Sequence, residues 1–203
     1  MSSIPELTGG RALEHGIAMM VDHGRGGGSK MYIGGQANAD VAAGITTASS
    51  TAENKSAQYT IPANTLVAGS TVRVRFACVT EDNNGSDTLI VRLRFGSDGT
   101  TMTNDTECAV NTAVDQDDGD FCVGDMVIQC RTAGATGTGV ALGTLSNSDA
   151  LGSMSANNQF EPSFTINTTV DNYVSVSTQW SGSNADNEAA TQAFIVDIVN
   201  PST

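Results

Sequence analysis

The chain has few of the residues that usually carry catalysis, nucleic-acid binding or membrane attachment. Its 203 residues include two lysines, two histidines and one tryptophan, and nine basic residues stand against 22 acidic ones, for a net charge of −13. An acidic surface of this size repels phosphate backbones and anionic lipid, so we expect neither nucleic acid nor a membrane as a partner. The sequence has no run of about 18 apolar residues, so no membrane-spanning helix is predicted.

Sequence motifs for catalysis and export are also lacking. His15 and His23 are the only histidines, and we find no Gly-x-Ser-x-Gly elbow and no phosphate-binding or dinucleotide-binding fingerprint. We therefore expect no enzyme activity and no cofactor. A carboxylate pair for glycoside cleavage is the alternative left open, because spacing in sequence does not give spacing in space. The N-terminus has no basic start followed by an apolar segment, so we expect no secretion signal and synthesis in a cytoplasm.

The four cysteines are not in Cys-x-x-Cys spacing, which argues against zinc and redox motifs. Free, buried thiols are the favoured interpretation for a protein that matures in a cytoplasm. A disulfide is the alternative if the protein later leaves the cell.

Residues 1–55 differ from the rest of the chain. A short helix is predicted at Arg11–Met20, and a glycine-rich segment that suits no regular element follows it. A free segment of this composition frays. We therefore predict that residues 1–55 form an extended N-terminal arm held by contacts in an assembly, either with its own body or with a neighbouring chain, and that residues 56–203 form one domain.

What the body contains in abundance is Gly, Thr, Ser and Asn, together with segments of period-two alternation. This composition favours strands and turns over helices. The pattern predicts an all-β fold, an antiparallel β-sandwich with a jelly-roll-like body. The predicted strands are 72–78, 89–95, Glu107–Val114, Phe121–Arg131, Ser163–Val170, Tyr173–Trp180 and Gln192–Val199. The last is apolar on both faces, which predicts a central strand or a subunit interface.

The first two predicted strands are joined by a turn-rich segment, so we expect them to pair as a hairpin. That register places Arg75 opposite Arg92 and Arg73 opposite Arg94, an unfavourable arrangement of like charges that needs compensation. Three sources are open: carboxylates on neighbouring strands of the same subunit, a partner surface or neighbouring subunit, and a polyanionic ligand. These four arginines are our candidate subunit or capsid contact, since guanidinium groups suit bidentate pairing with carboxylates.

An acidic block lies between Arg94 and Arg131, where eight acidic residues and no basic ones occur. Its centre, Asp115–Asp120, does not fit an EF-hand, because Gly119 falls at the fifth position and no glutamate follows in place. A solvated loop is the default interpretation, and a looser calcium site is the alternative, so we predict no metal residue. The block could also supply carboxylates to the arginines.

Trp180 ends a predicted strand whose Val174 and Val176 face the same way. Packing in the core or at its rim is the favoured role. The alternative is that Trp180 and Tyr173 face a ligand, with stacking on a carbohydrate as the chemistry.

Several segments together resemble a known family. They are Tyr59–Leu66 (YTIPANTL), Asp87–Gly96 (DTLIVRLRFG), Thr165–Thr169, Gln179–Ser181 and the final apolar strand, Phe194–Val199. Over residues 57–200 this order resembles the small β-sandwich proteins of tailed-bacteriophage virions, which occur as head decoration (cement) proteins, head fibres and tail-associated modules.

The resemblance implies a structural virion protein and no enzyme. It implies a homo-oligomer, with a trimer as the first expectation, and the major capsid protein as partner. We expect the protein on the capsid surface, after synthesis in the host bacterial cytoplasm. The alternative is a head or tail fibre, or a receptor- or glycan-binding module.

Overall fold

The structure, a computed structural model, describes residues 36–40, 47–48, 50–83, 85–150 and 153–199. These residues form twelve strands and one short 3-10 helix, Met102–Asn104. The strands are β1 (Gln36–Asp40), β2 (Thr47–Ala48), β3 (Asn54–Ile61), β4 (Thr71–Asp82), β5 (Thr88–Gly96), β6 (Thr106–Val110), β7 (Val114–Asp115), β8 (Phe121–Thr132), β9 (Gly137–Ala150), β10 (Ser153–Ile166), β11 (Asn172–Trp180) and β12 (Glu188–Val199).

The strands build two antiparallel sheets that face each other across one core. The large sheet has the order β1-β12-β4-β8-β9-β10, with β2 also paired to β12, and the small sheet has the order β3-β11-β5-β6, with β7 also paired to β5. The all-β antiparallel sandwich predicted from the sequence is therefore confirmed. No helix among the described residues is long and apolar enough to cross a membrane.

Period-two alternation explains which side chains fill the core. Along β4 and β5 every second residue is buried, from Val72 to Cys78 and from Leu89 to Phe95, while the residues between them are half-buried or exposed. Gly124 of β8 contributes by having no side chain, because a Cβ there would lie 2.2 Å from the ring of Phe76. The ring of Phe76 therefore lies over its neighbouring strand in the large sheet, in the space that a side chain on residue 124 would take.

The predicted hairpin between the first two strands is wrong. β4 pairs with β8 and β12 in the large sheet, whereas β5 pairs with β6, β7 and β11 in the small sheet. Alternation shows which side chains face the core. It does not show whether two strands are neighbours in one sheet or lie in opposite sheets, because both arrangements bury the same side chains. Because β4 and β5 belong to different sheets, their arginines lie on opposite outer surfaces. This removes the repulsion that a hairpin would have created.

Other boundaries differ from the prediction in several places. The segment predicted as Glu107–Val114 is two short strands, β6 and β7, and β9 was not predicted at all. The strand predicted at Ser163–Val170 is the end of β10, which begins ten residues earlier, at Ser153. It ends at Ile166, since Asn167 Oδ1 accepts hydrogen bonds from the backbone N–H and the hydroxyl of Thr169 and forms a turn. β12 lies inside the large sheet, between β1 and β4, which confirms the central position predicted for it.

The four cysteines, Cys78, Cys108, Cys122 and Cys130, are all free and buried. Burial raises the pKa of Cys108 and Cys122 to about 12, so both thiols remain protonated at neutral pH.

The predicted arm is described only in part. β1 and β2 belong to it, and both lie along the edge of β12. The helix predicted at Arg11–Met20 and the two histidines, His15 and His23, lie outside the described residues.

Candidate interaction surfaces

Arg92 and Arg94 belong to a compact ion cluster on the outer face of the small sheet. Arg94 donates from Nε and Nη2 to the two oxygens of Glu53, at 2.5 and 2.8 Å, in a bidentate fork. Arg92 donates from Nε to Glu107 Oε2 at 3.0 Å, and its Nη1 lies 3.8 Å from Glu53 Oε2. The side chains of Glu53, Arg94 and Arg92 are only 9%, 11% and 14% exposed, so this cluster is largely shielded from water.

The register of the small sheet explains why these groups meet. Arg92 and Arg94 are two residues apart on β5 and therefore share a face, and they lie opposite Ser177 and Ser175 of β11. Both serines are buried, and Ser177 Oγ donates to Glu53 Oε1 at 2.6 Å. Small hydroxyl side chains on β11 leave room for Glu53, which immediately precedes β3, to reach the arginines.

Two opposing influences set the pKa of Glu53. Burial, the largest single influence, raises the pKa. The hydrogen bonds from Arg94 and Ser177 and the positive charges of Arg94 and Arg92 together outweigh burial and hold the pKa below its ordinary value. Glu53 is therefore a carboxylate at neutral pH.

The same cluster attaches the segment before β3 to the sheet. Gln179 Nε2 donates to the carbonyl oxygen of Thr51 at 2.9 Å, next to the bonds made by Glu53. For Arg92 and Arg94, therefore, the first of the three sources of compensation, carboxylates of the same subunit, is the one observed. Glu107 comes from the acidic block, as expected, whereas nothing in the sequence pattern pointed to Glu53.

Arg73 and Arg75 lie on the other side of the molecule, on the outer face of the large sheet, and both are exposed. Arg75 Nε lies 3.2 Å from Asp125 Oδ2, and both side chains are more than half exposed. Such a pair contributes about 0–1 kcal/mol. Arg73 lies between Val127 and Asp197 in the register and makes no ion pair with any described residue. These two arginines are thus accessible, unlike those of β5.

A short apolar row lies beside these arginines on the same face. Val127 of β8, Leu142 of β9 and Phe160 of β10 are directly paired neighbours, and Val127 in turn pairs with Arg73. Phe160 is 66% exposed and Leu142 47% exposed. An apolar row bordered by charged residues is typical of a contact surface. We call residues Arg73, Arg75, Val127, Leu142 and Phe160 the large-sheet patch.

The two aromatic candidates differ in accessibility. Trp180 is 2% exposed and belongs to the core cluster, which supports the packing role and leaves no ring face for an external ligand. Tyr173 is half-buried on the small sheet, where its ring packs against Gly99 so closely that a Cβ on Gly99 would lie 2.5 Å from Cζ.

The acidic loop uses its carboxylates to hold its own conformation. Asp120 is buried and accepts hydrogen bonds from the hydroxyl of Ser148 at 2.8 Å and from the backbone N–H of Asp117 at 3.0 Å. Asp118 accepts from the backbone N–H of Asn83. In the part of the chain that the structure describes, no three His, Cys, Asp or Glu side chains are grouped so as to hold a metal ion.

Comparison with known proteins adds little. No protein-family model matches the chain, and no relative is found among curated proteins. One solved structure that is similar is the marine PL7 alginate lyase AlyA1 from Zobellia galactanivorans, with 11% identity and a TM-score of 0.21 over 72% of this chain. The match spans 64% of the lyase chain. A likeness this weak carries no argument about function.

Proposed function

We propose that the chain is a structural virion protein that binds the outer surface of a tailed-phage capsid as an oligomer and stabilises it, with a trimer as the first expectation. The proposed partner is the major capsid protein. The observation that supports this most is the large-sheet patch, where two exposed arginines border an apolar row in a chain of net charge −13. A carboxylate-rich capsid surface would complement these arginines.

Stabilisation of this kind needs no chemistry. A protein that binds only the assembled shell shifts the equilibrium toward that shell by mass action. On a symmetric lattice, each oligomer contacts several capsid subunits at once, so individually weak contacts add up to tight binding through a high effective concentration. The weak internal pairing of Arg75 with Asp125 suits this role, because little is lost when Arg75 exchanges that partner for a capsid carboxylate.

The location of the protein tests the proposal directly. We expect gold-labelled antibody to spread evenly over the heads of the particles in the electron microscope. Label confined to the tail tip or to a single spike would overturn the capsid role and indicate a fibre or adhesion module.

Charge reversal tests the patch. We expect Arg73→Glu together with Arg75→Glu to weaken binding to purified shells about tenfold or more, because like charges at a contact cost over about 1.4 kcal/mol. Binding of the unmodified protein should also weaken as salt rises. Sedimentation with shells measures both effects.

The control is Arg131→Glu, which reverses an exposed arginine near the end of β8, on the same face as the patch and four residues beyond Val127. Equal loss in this control, or shell binding that is unchanged by the double reversal, would remove the patch from the capsid contact.

A further inference from the structure

The edge strand β10 differs from the other edges of the sandwich. Among the described residues it pairs with β9 alone, so its second edge presents backbone N–H and C=O groups without a strand partner. Natural proteins shield such edges with short strands, charges, prolines or bulges, since an unshielded edge pairs with other chains. The question is which of these protections β10 has.

The other edges are protected. The opposite edge of the large sheet is covered by β1 and β2. The edges of the small sheet are β3, which carries Lys55, and the short strands β6 and β7.

Residues 154–160 of β10 have none of these protections. This segment (MSANNQF) contains no charged residue and no proline, and it pairs with β9 without interruption from Met154↔Ser148 to Phe160↔Leu142. Irregularities in the pairing bound it on both sides, at Ser153/Met154 and at Glu161/Phe164, and the second contains Pro162. A regular, uncharged edge segment therefore ends where a bulge and a proline would stop further pairing.

We infer that residues 154–160 pair antiparallel with the same residues of a second copy of this chain, extending the large sheet across a two-fold axis at Asn157. In this register Phe160 lies opposite Met154 of the second copy, and Asn158 lies opposite Ala156. Phe160, which is 66% exposed, then lies at the end of the paired segment, next to the second copy.

A second copy of the chain suits this uncharged edge better than a different protein with an acidic or basic contact surface. Two chains of charge −13 repel each other, and an uncharged segment lets them meet without placing charged groups directly opposite. An isologous contact also satisfies both exposed edges at once, because the same segment meets itself. The apolar rows of the two copies then lie on one continuous face.

This contact between copies goes beyond the proposed capsid role, and an experiment can refute either proposal without refuting the other. Pairing through β10 joins copies two at a time, so the mass of the oligomer is an even multiple of the 20.9 kDa chain. If the chain also forms a ring of three copies through a different surface, two such rings joined through β10 would sediment as a hexamer.

Analytical ultracentrifugation of the full chain at about 50 μM tests the inference. We expect an even multiple of the chain mass for the unmodified protein, and half that mass for Asn158→Lys and for Phe160→Ser. The lysine adds charge beside the two-fold axis, and the serine removes the exposed aromatic ring at the end of the paired segment. Association should strengthen with salt, which screens the repulsion between acidic chains, whereas binding to shells should weaken.

Thr165→Lys is the matched control. It adds the same charge to an exposed position of the same strand beyond the bulge, and its mass should remain that of the unmodified protein. Hydrogen exchange should show amides within residues 154–160 whose protection rises with protein concentration. A monomer or a trimer at 50 μM, or an even oligomer that persists in both variants, would overturn the inference.

Discussion

Glu53→Gln is expected to lower the free energy of unfolding by about 3 kcal/mol, the low end of the cost of removing one partner from a buried ion pair. The substitution keeps the size of the side chain but removes the charge that two arginines share. Arg94 loses its bidentate carboxylate, and Arg92, whose Nη1 is buried and has no hydrogen bond, loses one of its two carboxylate partners and keeps Glu107. Two positive charges then remain in a largely shielded site, with Glu107 bound to them and the carboxylate of Asp105 acting on Arg94 from a greater distance.

Chemical denaturation followed by the fluorescence of the single tryptophan, Trp180, measures this loss, since the ring is buried in the folded chain and becomes exposed on unfolding. The matched control is Glu107→Gln, whose carboxylate binds the same arginines but is 39% exposed. We expect about 1 kcal/mol or less for this control. Similar losses for the two variants would mean that burial of Glu53 does not determine the strength of the cluster.

The same cluster predicts a difference in acid stability. The folded-state pKa of Glu53 lies below the unfolded-state value, so its contribution is fully present above the ordinary pKa of 4.5 and is lost as the pH falls through the folded-state value. Asp105 acts in the opposite direction, because burial raises its pKa. We therefore compare the midpoint temperature of unfolding of the unmodified protein and Glu53→Gln from pH 7 to pH 3. The gap between them should narrow as the pH falls below 4.5, and a constant gap would contradict the assigned pKa shift.

The core was readable from the sequence because burial imposes a simple period on a strand. The alternating residues of β4 and β5 are buried as predicted, and Cys78 and Phe95 lie inward as the pattern requires. Which strands pair with each other could not be predicted, because neighbours in one sheet and strands on opposite sides of the core show the same alternation. The like-charged arginines were evidence against the hairpin, and the structure follows that evidence.

β9 was not predicted because small residues occupy several of its inward positions, whereas the large apolar residue Leu142 faces outward. Its inward positions include Gly139 and Gly143, where a Cβ would meet Ile166 Cδ1 at 2.4 Å and the sulfur of Met126 at 2.6 Å. Large side chains from neighbouring strands fill the core there, while Leu142 points to solvent. On the buried face of β9 only Leu145 is a large apolar residue, and a face made mostly of small residues shows no clear hydrophobic alternation.

The candidate surfaces were predictable only in part. The sequence identified the four arginines and the acidic block, but whether an arginine is shielded depends on which outer face it occupies. Glu53 decides that question for β5, and it comes from a segment 39 residues before Arg92, so its contact depends on the fold and not on local spacing. The apolar row was missed because its three members come from three different strands, β8, β9 and β10.

Phe95→Ala is expected to have the largest effect of any substitution considered, about 4 kcal/mol. Phe95 is completely buried between the sheets, and its ring meets Phe164 edge-on, with centroids 5.9 Å apart and the planes at 61°. Deleting a buried phenyl ring costs about 3–5 kcal/mol through lost burial and the cavity left behind, and the edge-to-face contact adds to that. For a domain of this size, the unfolding midpoint should fall by about 10 °C.

Phe160→Ala is the matched control for that prediction, because it deletes the same atoms from a ring that is 66% exposed. Unfolding is measured at about 1 μM, so that association through β10 contributes little to the stability of either variant. We expect a loss below about 0.5 kcal/mol, the usual range for surface positions. Equal losses at the two positions would mean that Phe160 is covered in solution by its own chain. The row beside it would then not be a contact surface, and the edge of β10 would not be open to a second copy.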